Sequence, residues 1–131
     1  MTAFSYFSPE EITNTDPIEL GCGGFCFLVC ELLIIIFPSA ELWRLTDENG
    51  SRFAHVFLKV NHRPLDVKGF RNVNLMQFDF NDQNTIPEPT TKQCVCEYFY
   101  PKYMEEQMGA AKQVLQKYID ANAALFRGGI V

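Results

Sequence analysis

Apolar positions fall into one dense block, two short alternating runs and one long periodic stretch, and these set the elements. Ser8-Pro9-Glu10-Glu11 reads as a helix start, with Ser at the N-cap, Pro at the first helical position and Glu11 closing a capping box. Asp16-Pro17 then interrupts that helix, and Gly21 to Gly24 reads as a flexible turn. Phe25 to Phe37 is apolar nearly all round, which predicts a helix buried at the centre of the domain and ended by Pro38. A central strand is the alternative for its Ile-rich end. Ala40 to Leu45 and Phe53 to Val60 read as strands joined through Asn49-Gly50, a hairpin signal. Asn61 to Pro64 is a turn, and Leu65 to Val67 a third short strand ended by Gly69. Arg71 to Pro89 reads as a short helical or irregular connection, with a loop over Asn81 to Thr91, and Cys94 to Phe99 as a fourth strand. Pro101 opens a long helix whose stripe is Met104, Met108, Ala111, Leu115, Tyr118, Ala121 and Leu125, stopped by Gly128-Gly129.

Composition narrows what this pattern can be. The 131 residues suit one α+β domain spanning 1–131, and 47% hydrophobic with 21% charged residues predicts a folded chain. Sixteen acidic against eleven basic residues, a net charge of −5, argue against a nucleic-acid partner, which needs clustered cations. The longest apolar stretch contains Glu31 and is too short to span a bilayer, so no membrane partner is expected. The first residues lack a basic region and turn acidic, unlike a secretory signal. Five cysteines, three of them (Cys22, Cys26, Cys30) spaced by four, suggest free thiols in a reducing cytoplasm.

Those thiols are core filling, metal ligands or a nucleophile. A thiol at a Gly-rich entry to a buried helix meets unpaired N–H groups and the positive end of the dipole, which favour thiolate. Cys22 stands at that expected entry, while Cys26 and Cys30 lie deeper. The only histidines are His55, inside a strand, and His62, in a turn. With Asn61-His62 as a two-residue loop, Phe57 faces Asp66, and His55 lies diagonally on the same sheet face, about 7–8 Å away and within side-chain reach. Ala54, Val56 and Leu58 then take the other face, with Leu65 and Val67.

Three segments carry a resemblance. Cys22-Gly23-Gly24-Phe25-Cys26, Ala54-His55-Val56-Phe57 and Leu65-Asp66-Val67-Lys68-Gly69 look like the papain-like/transglutaminase-like cysteine fold, closest to small phage and bacterial proteins of that class. The likeness covers Cys22 to Gly69. It implies a central helix packed on a small antiparallel sheet, Cys22 as nucleophile, His55 as general base and Asp66 as orienter, with Cys26 in a packing role. Papain-type enzymes carry a Gln before the nucleophile to bind the oxyanion. No Gln precedes Cys22, so backbone N–H groups, or Asn14 or Thr15, would have to serve.

The function so implied is thiol-dependent acyl transfer on an amide, as in a cysteine peptidase, deamidase or transglutaminase. It needs no cofactor and acts on a protein or peptide substrate. The competing class is a non-catalytic binding or inhibitor protein, for example phage-encoded and acting on a host protein in the host cytoplasm. Its recognition surface would be the acidic loop with Phe78 and Phe80. A structural zinc held by Cys22, Cys26, Cys94 and Cys96 is disfavoured because no Cys-x-x-Cys knuckle occurs.

Overall fold

The computed structural model describes residues 4–47, 49–50, 52–79 and 85–127. Helix α1 (Pro9–Thr13) starts as the sequence predicts, with the Ser8 hydroxyl accepting from Glu11 N and the Glu11 carboxylate accepting from Ser8 N, each at 3.1 Å. Asp16-Pro17, expected only to break that helix, begins another. The Asp16 side chain accepts from Ile18 N at 2.7 Å and Pro17 takes the first position of α2 (Pro17–Gly23). Gly21 therefore sits in a helix rather than a loose turn. A Cβ there would lie 2.6 Å from Val67, so only glycine lets α2 approach the sheet this closely.

After a bend of 104°, α3 (Cys26–Ile36) runs through the centre, with Cys26 to Cys30, Leu32 and Leu33 all buried. It lies against a five-stranded antiparallel sheet: β1 (Glu41–Thr46), β2 (Phe53–Val60), β3 (Arg63–Asp66), β4 (Gly69–Phe70) and β5 (Ile86–Pro89), in the order β4-β3-β2-β1-β5. The β2–β3 connection is the two-residue loop Asn61-His62, both at positive φ (51° and 69°), as a tight hairpin requires. Val56, Leu58, Val60, Leu65 and Val67 join α3 in the main core. Leu45, Phe57 and Met76 form a smaller cluster on the opposite face, under α4 (Val73–Asp79).

Strict alternation along β2 fails at one point. Leu45 pairs with His55 and Thr46 with Phe53, which leaves Ala54 as the extra residue of a bulge. Ala54 consequently packs with Phe57, not with Val56 and Leu58 as alternation predicts, and Phe53 stacks on Tyr98 in the main core.

The C-terminal half departs further. Cys94 to Phe99 is not a strand but part of α5 (Lys92–Phe99), launched by the Thr91 hydroxyl accepting from Cys94 N at 3.1 Å. The last strand is instead β5, within the segment expected to be a loop. The long helix α6 (Glu105–Ala121) begins four residues after Pro101, which lies in a 3-10 turn. Its buried line is Gln107, Ala111, Leu115 and Ile119, so Met104 is exposed rather than in the core. No single helix among the described residues is long and apolar enough to cross a membrane; α2 and α3 pass that test only together, as a bent pair.

Candidate active site

Because α2 continues to Gly23, it takes Cys22 into its own last turn. The buried helix α3 starts at Cys26, one residue from the expected Phe25, but Cys22 lies inside the preceding helix rather than in a turn at that entry. The Cys22 thiol is half-buried, and burial first, then the Asp66 charge, push it up to about 12 against the opposing pull of Lys68 and Arg71. Cys26 occupies the first helical position of α3, whose N-terminus no side chain caps, so the first-turn N–H groups lie beside its thiol.

The thiol that bears on the imidazole is Cys26, whose influence together with that of Asp66 raises the His55 pKa. His55 Nε2 lies 3.0 Å from Asp66 Oδ2. The β-hairpin register supplies this geometry. Leu58 pairs with Leu65 and Val60 with Arg63, so one further step sets Phe57 opposite Asp66 and His55 diagonal to it. His55 is 0% and Cys26 3% exposed. Burial disfavours a charged imidazole, but the Asp66 carboxylate and the Cys26 thiol outweigh it and raise His55 to about 9. Burial likewise works against the Asp66 charge, and His55 with Arg71 overcomes it, holding the carboxyl at about 2.

Asp66 has more partners than the histidine. Its Oδ1 accepts from Lys68 N at 2.9 Å and from Arg71 Nε at 3.0 Å, and Arg71 Nη2 donates to Oδ2. Arg71 was not singled out in the sequence, although the same diagonal logic applies. Leu65 pairs with Phe70 and Asp66 with Gly69, and Arg71 N donates to Pro64 O, so Arg71 returns diagonal to Asp66.

Other candidates lie apart from this contact line. Asn14 and Thr15 turn back on α1, Asn14 Nδ2 donating to Glu10 O and Thr15 Oγ1 to Glu11 O. Phe78 is 66% exposed on α4, while Phe80 falls outside the described residues. Cys30 is buried, which raises its thiol pKa; Cys94 is exposed and Cys96 half-buried on α5. Among the described residues no group of three His, Cys, Asp or Glu side chains is placed to hold a metal ion.

Aromatic rings close the turn that leads to Cys26. Tyr103 Oη donates to Gly24 O at 3.1 Å, and its ring lies 4.5 Å from that of Phe25. The edge of Phe4 approaches Gly23 so closely that a Cβ there would be 2.6 Å from it. In comparisons with known proteins, no family model, no curated protein and no solved structure matches this chain.

Proposed function

We propose that the protein carries out thiol-dependent acyl transfer on an amide, with Cys26 as nucleophile, His55 as base and Asp66 as orienter. The carrying observation is a buried imidazole whose Nε2 lies 3.0 Å from the Asp66 carboxylate and whose pKa responds to the buried Cys26 thiol. With Nε2 committed to the carboxylate, proton exchange with the thiol runs through Nδ1. With His55 raised to about 9, the reactive pair at neutral pH is thiolate beside imidazolium: the thiolate attacks the carbonyl carbon, and the imidazolium gives its proton to the leaving amine. The resulting thioester is resolved by water or by a second amine. The backbone N–H groups of Cys26 and Phe27, in the first turn of α3 where no side chain caps the helix, would serve the oxyanion in place of Asn14 and Thr15. A buried helix opening on a thiol, antiparallel strands carrying His and Asp, and the chain order Cys, His, Asp all support a papain-like or transglutaminase-like arrangement. In it the nucleophile moves from Cys22 to Cys26. The substrate class is a protein or peptide amide.

The enclosure of His55 and Cys26 favours a second reading, a binding protein that keeps the three residues as a packed polar contact. Its surface would include Phe78 and Leu75, 66% and 54% exposed on α4. One experiment separates the two: limiting iodoacetamide at pH 6, with peptide mapping and exposed Cys94 as internal reference. Catalysis predicts preferential label on Cys26, lost in His55→Ala and kept in Cys22→Ser. Label confined to Cys94 and Cys96 removes the catalytic reading, and label on Cys22 reassigns the nucleophile.

A further inference from the structure

The far side of the Asp66 carboxylate is as occupied as the side facing His55. Oδ2 accepts from His55 Nε2 at 3.0 Å and also from Arg71 Nη2, while Arg71 Nε lies 3.0 Å from Oδ1 and 3.1 Å from Oδ2. Arg71 does not end the line. Its Nη1 is 2.7 Å from Asp79 Oδ2, and Lys68 Nζ is 3.0 Å from the same oxygen. Exposure grows outward along it: the side chains of His55 and Asp66 are 0% and 2% exposed, Arg71 10%, Asp79 22% and Lys68 37%. Charges of alternating sign thus run from the surface of α4 to the imidazole.

We propose that Arg71 is a positioning residue that divides the Asp66 carboxylate between itself and His55, and so sets how tightly the imidazole holds its proton, with Asp79 as its outer counterweight. The proposal rests on the reading of Cys26, His55 and Asp66 as the reactive set. One carboxylate oxygen serves two cationic donors, so whatever charge the guanidinium neutralises is not felt by the imidazole. Asp79 draws the same guanidinium the other way. Loss of Arg71 therefore strengthens the hold of Asp66 on the His55 proton, and loss of Asp79 weakens it. The other titratable or charged groups around this line are Cys22 from α2, Cys26 and Cys30 from α3, Lys68 from the β3–β4 turn and Tyr118 from α6. Only Arg71 and Asp79 bear on Asp66 in opposite directions through direct contacts with each other.

A purely structural Arg71, stapling the β3–β4 turn to α4, predicts loss of stability and no ordered effect on the imidazole. NMR titration of the two histidine rings tells these roles apart, with His62 assigned by the signal missing in His62→Ala. The expected result is a His55 midpoint raised by about 1 pH unit in Arg71→Gln, lowered by about half a unit in Asp79→Asn, and near wild type in Arg71→Lys. Shifts of the same sign in Arg71→Gln and Asp79→Asn, or none in either, overturn the proposal, as does a lowered midpoint in Arg71→Gln. Should Arg71→Gln fail to fold, Asp79→Asn decides alone: a lowered midpoint supports the proposal, and an unchanged or raised one ends it. Iodoacetamide labelling of Cys26 is independent of this readout. Opposed His55 shifts without Cys26 labelling would retain the divided carboxylate and discard acyl transfer.

Discussion

Replacing Asp66 by Asn removes one charge from a carboxylate that receives donors from His55, Arg71 and the Lys68 backbone. Raising His55 from 6.5 to about 9 corresponds to about 3 kcal/mol of folding stability, and lowering Asp66 from 3.8 to about 2 corresponds to about 2 kcal/mol. These describe one contact from its two ends and are not added. Cys26 contributes to the first figure and Arg71 to the second, so about 2 kcal/mol is taken for the contact itself. The sign follows from direction. A raised histidine contributes fully below pH 6.5 and its contribution is lost as pH rises through about 9; a lowered carboxyl contributes above pH 3.8 and is lost as pH falls towards 2. Wild-type stability should therefore decline between pH 6.5 and 9. Asp66→Asn should be less stable at pH 6 by about 3–5 kcal/mol, since it leaves a buried imidazole without its counter-charge and Arg71 with Asp79 as its acidic partner, and most of the decline should vanish. Guanidinium chloride midpoints at pH 6, 7, 8 and 9, in reductant, give both quantities. Buried Cys22 and Cys30 also favour their protonated forms in the folded state, so the difference between the two proteins is the quantity to read. An unchanged slope in Asp66→Asn, or a flat wild-type profile from pH 6.5 to 9, would refute the reasoning.

Tyr103→Phe deletes the hydroxyl that donates to Gly24 O, and should lower stability by about 1 kcal/mol while speeding Cys26 alkylation several-fold; mapped labelling time courses check it. Gly21→Ala drives a Cβ into Val67 and should cost about 1–3 kcal/mol, whereas Gly109→Ala, on α6 with nothing within 4 Å, should gain about 0.5–1 kcal/mol. Thermal melts of the pair should move in opposite directions. His62→Gly relieves a positive φ in the β2–β3 turn and should stabilise by about 1 kcal/mol without altering Cys26 labelling.

The sequence carried the register of the β2–β3 hairpin because a two-residue loop leaves no freedom. Once Asn61 and His62 turn the chain, Asp66 must come back on the side of His55. It did not reveal which thiol meets that histidine. Glycines at 21, 23 and 24 look like a turn when read alone, yet the Asp16 cap and Pro17 start a helix that runs to Gly23, which takes Cys22 into α2 and leaves Cys26 at the start of α3. Proline here reads as an end or as a beginning depending on the residue that caps it. Cys94 to Phe99 illustrates the same gap, since it reads as a strand while the Thr91 cap commits it to a helix. The bulge at Ala54 has no local signature, being fixed by the pairing of Leu45 and Thr46 across the sheet.

Strand β5 carries Pro87 and Pro89, opposite Leu45 and Trp43, and the amide of Thr90 donates inward to Leu42 O. Alternation then directs the nitrogens of residues 87 and 89 outward, where proline has no hydrogen to offer. A second chain laid along this rim finds no donor at either position. The other rim is the two-residue β4, where Gly69 lies so close to the backbone of Leu125 that a Cβ would sit 3.1 Å from its carbonyl oxygen. Two missing donors on one rim and a short strand approached by Leu125 on the other both disfavour strand addition at the sheet edges.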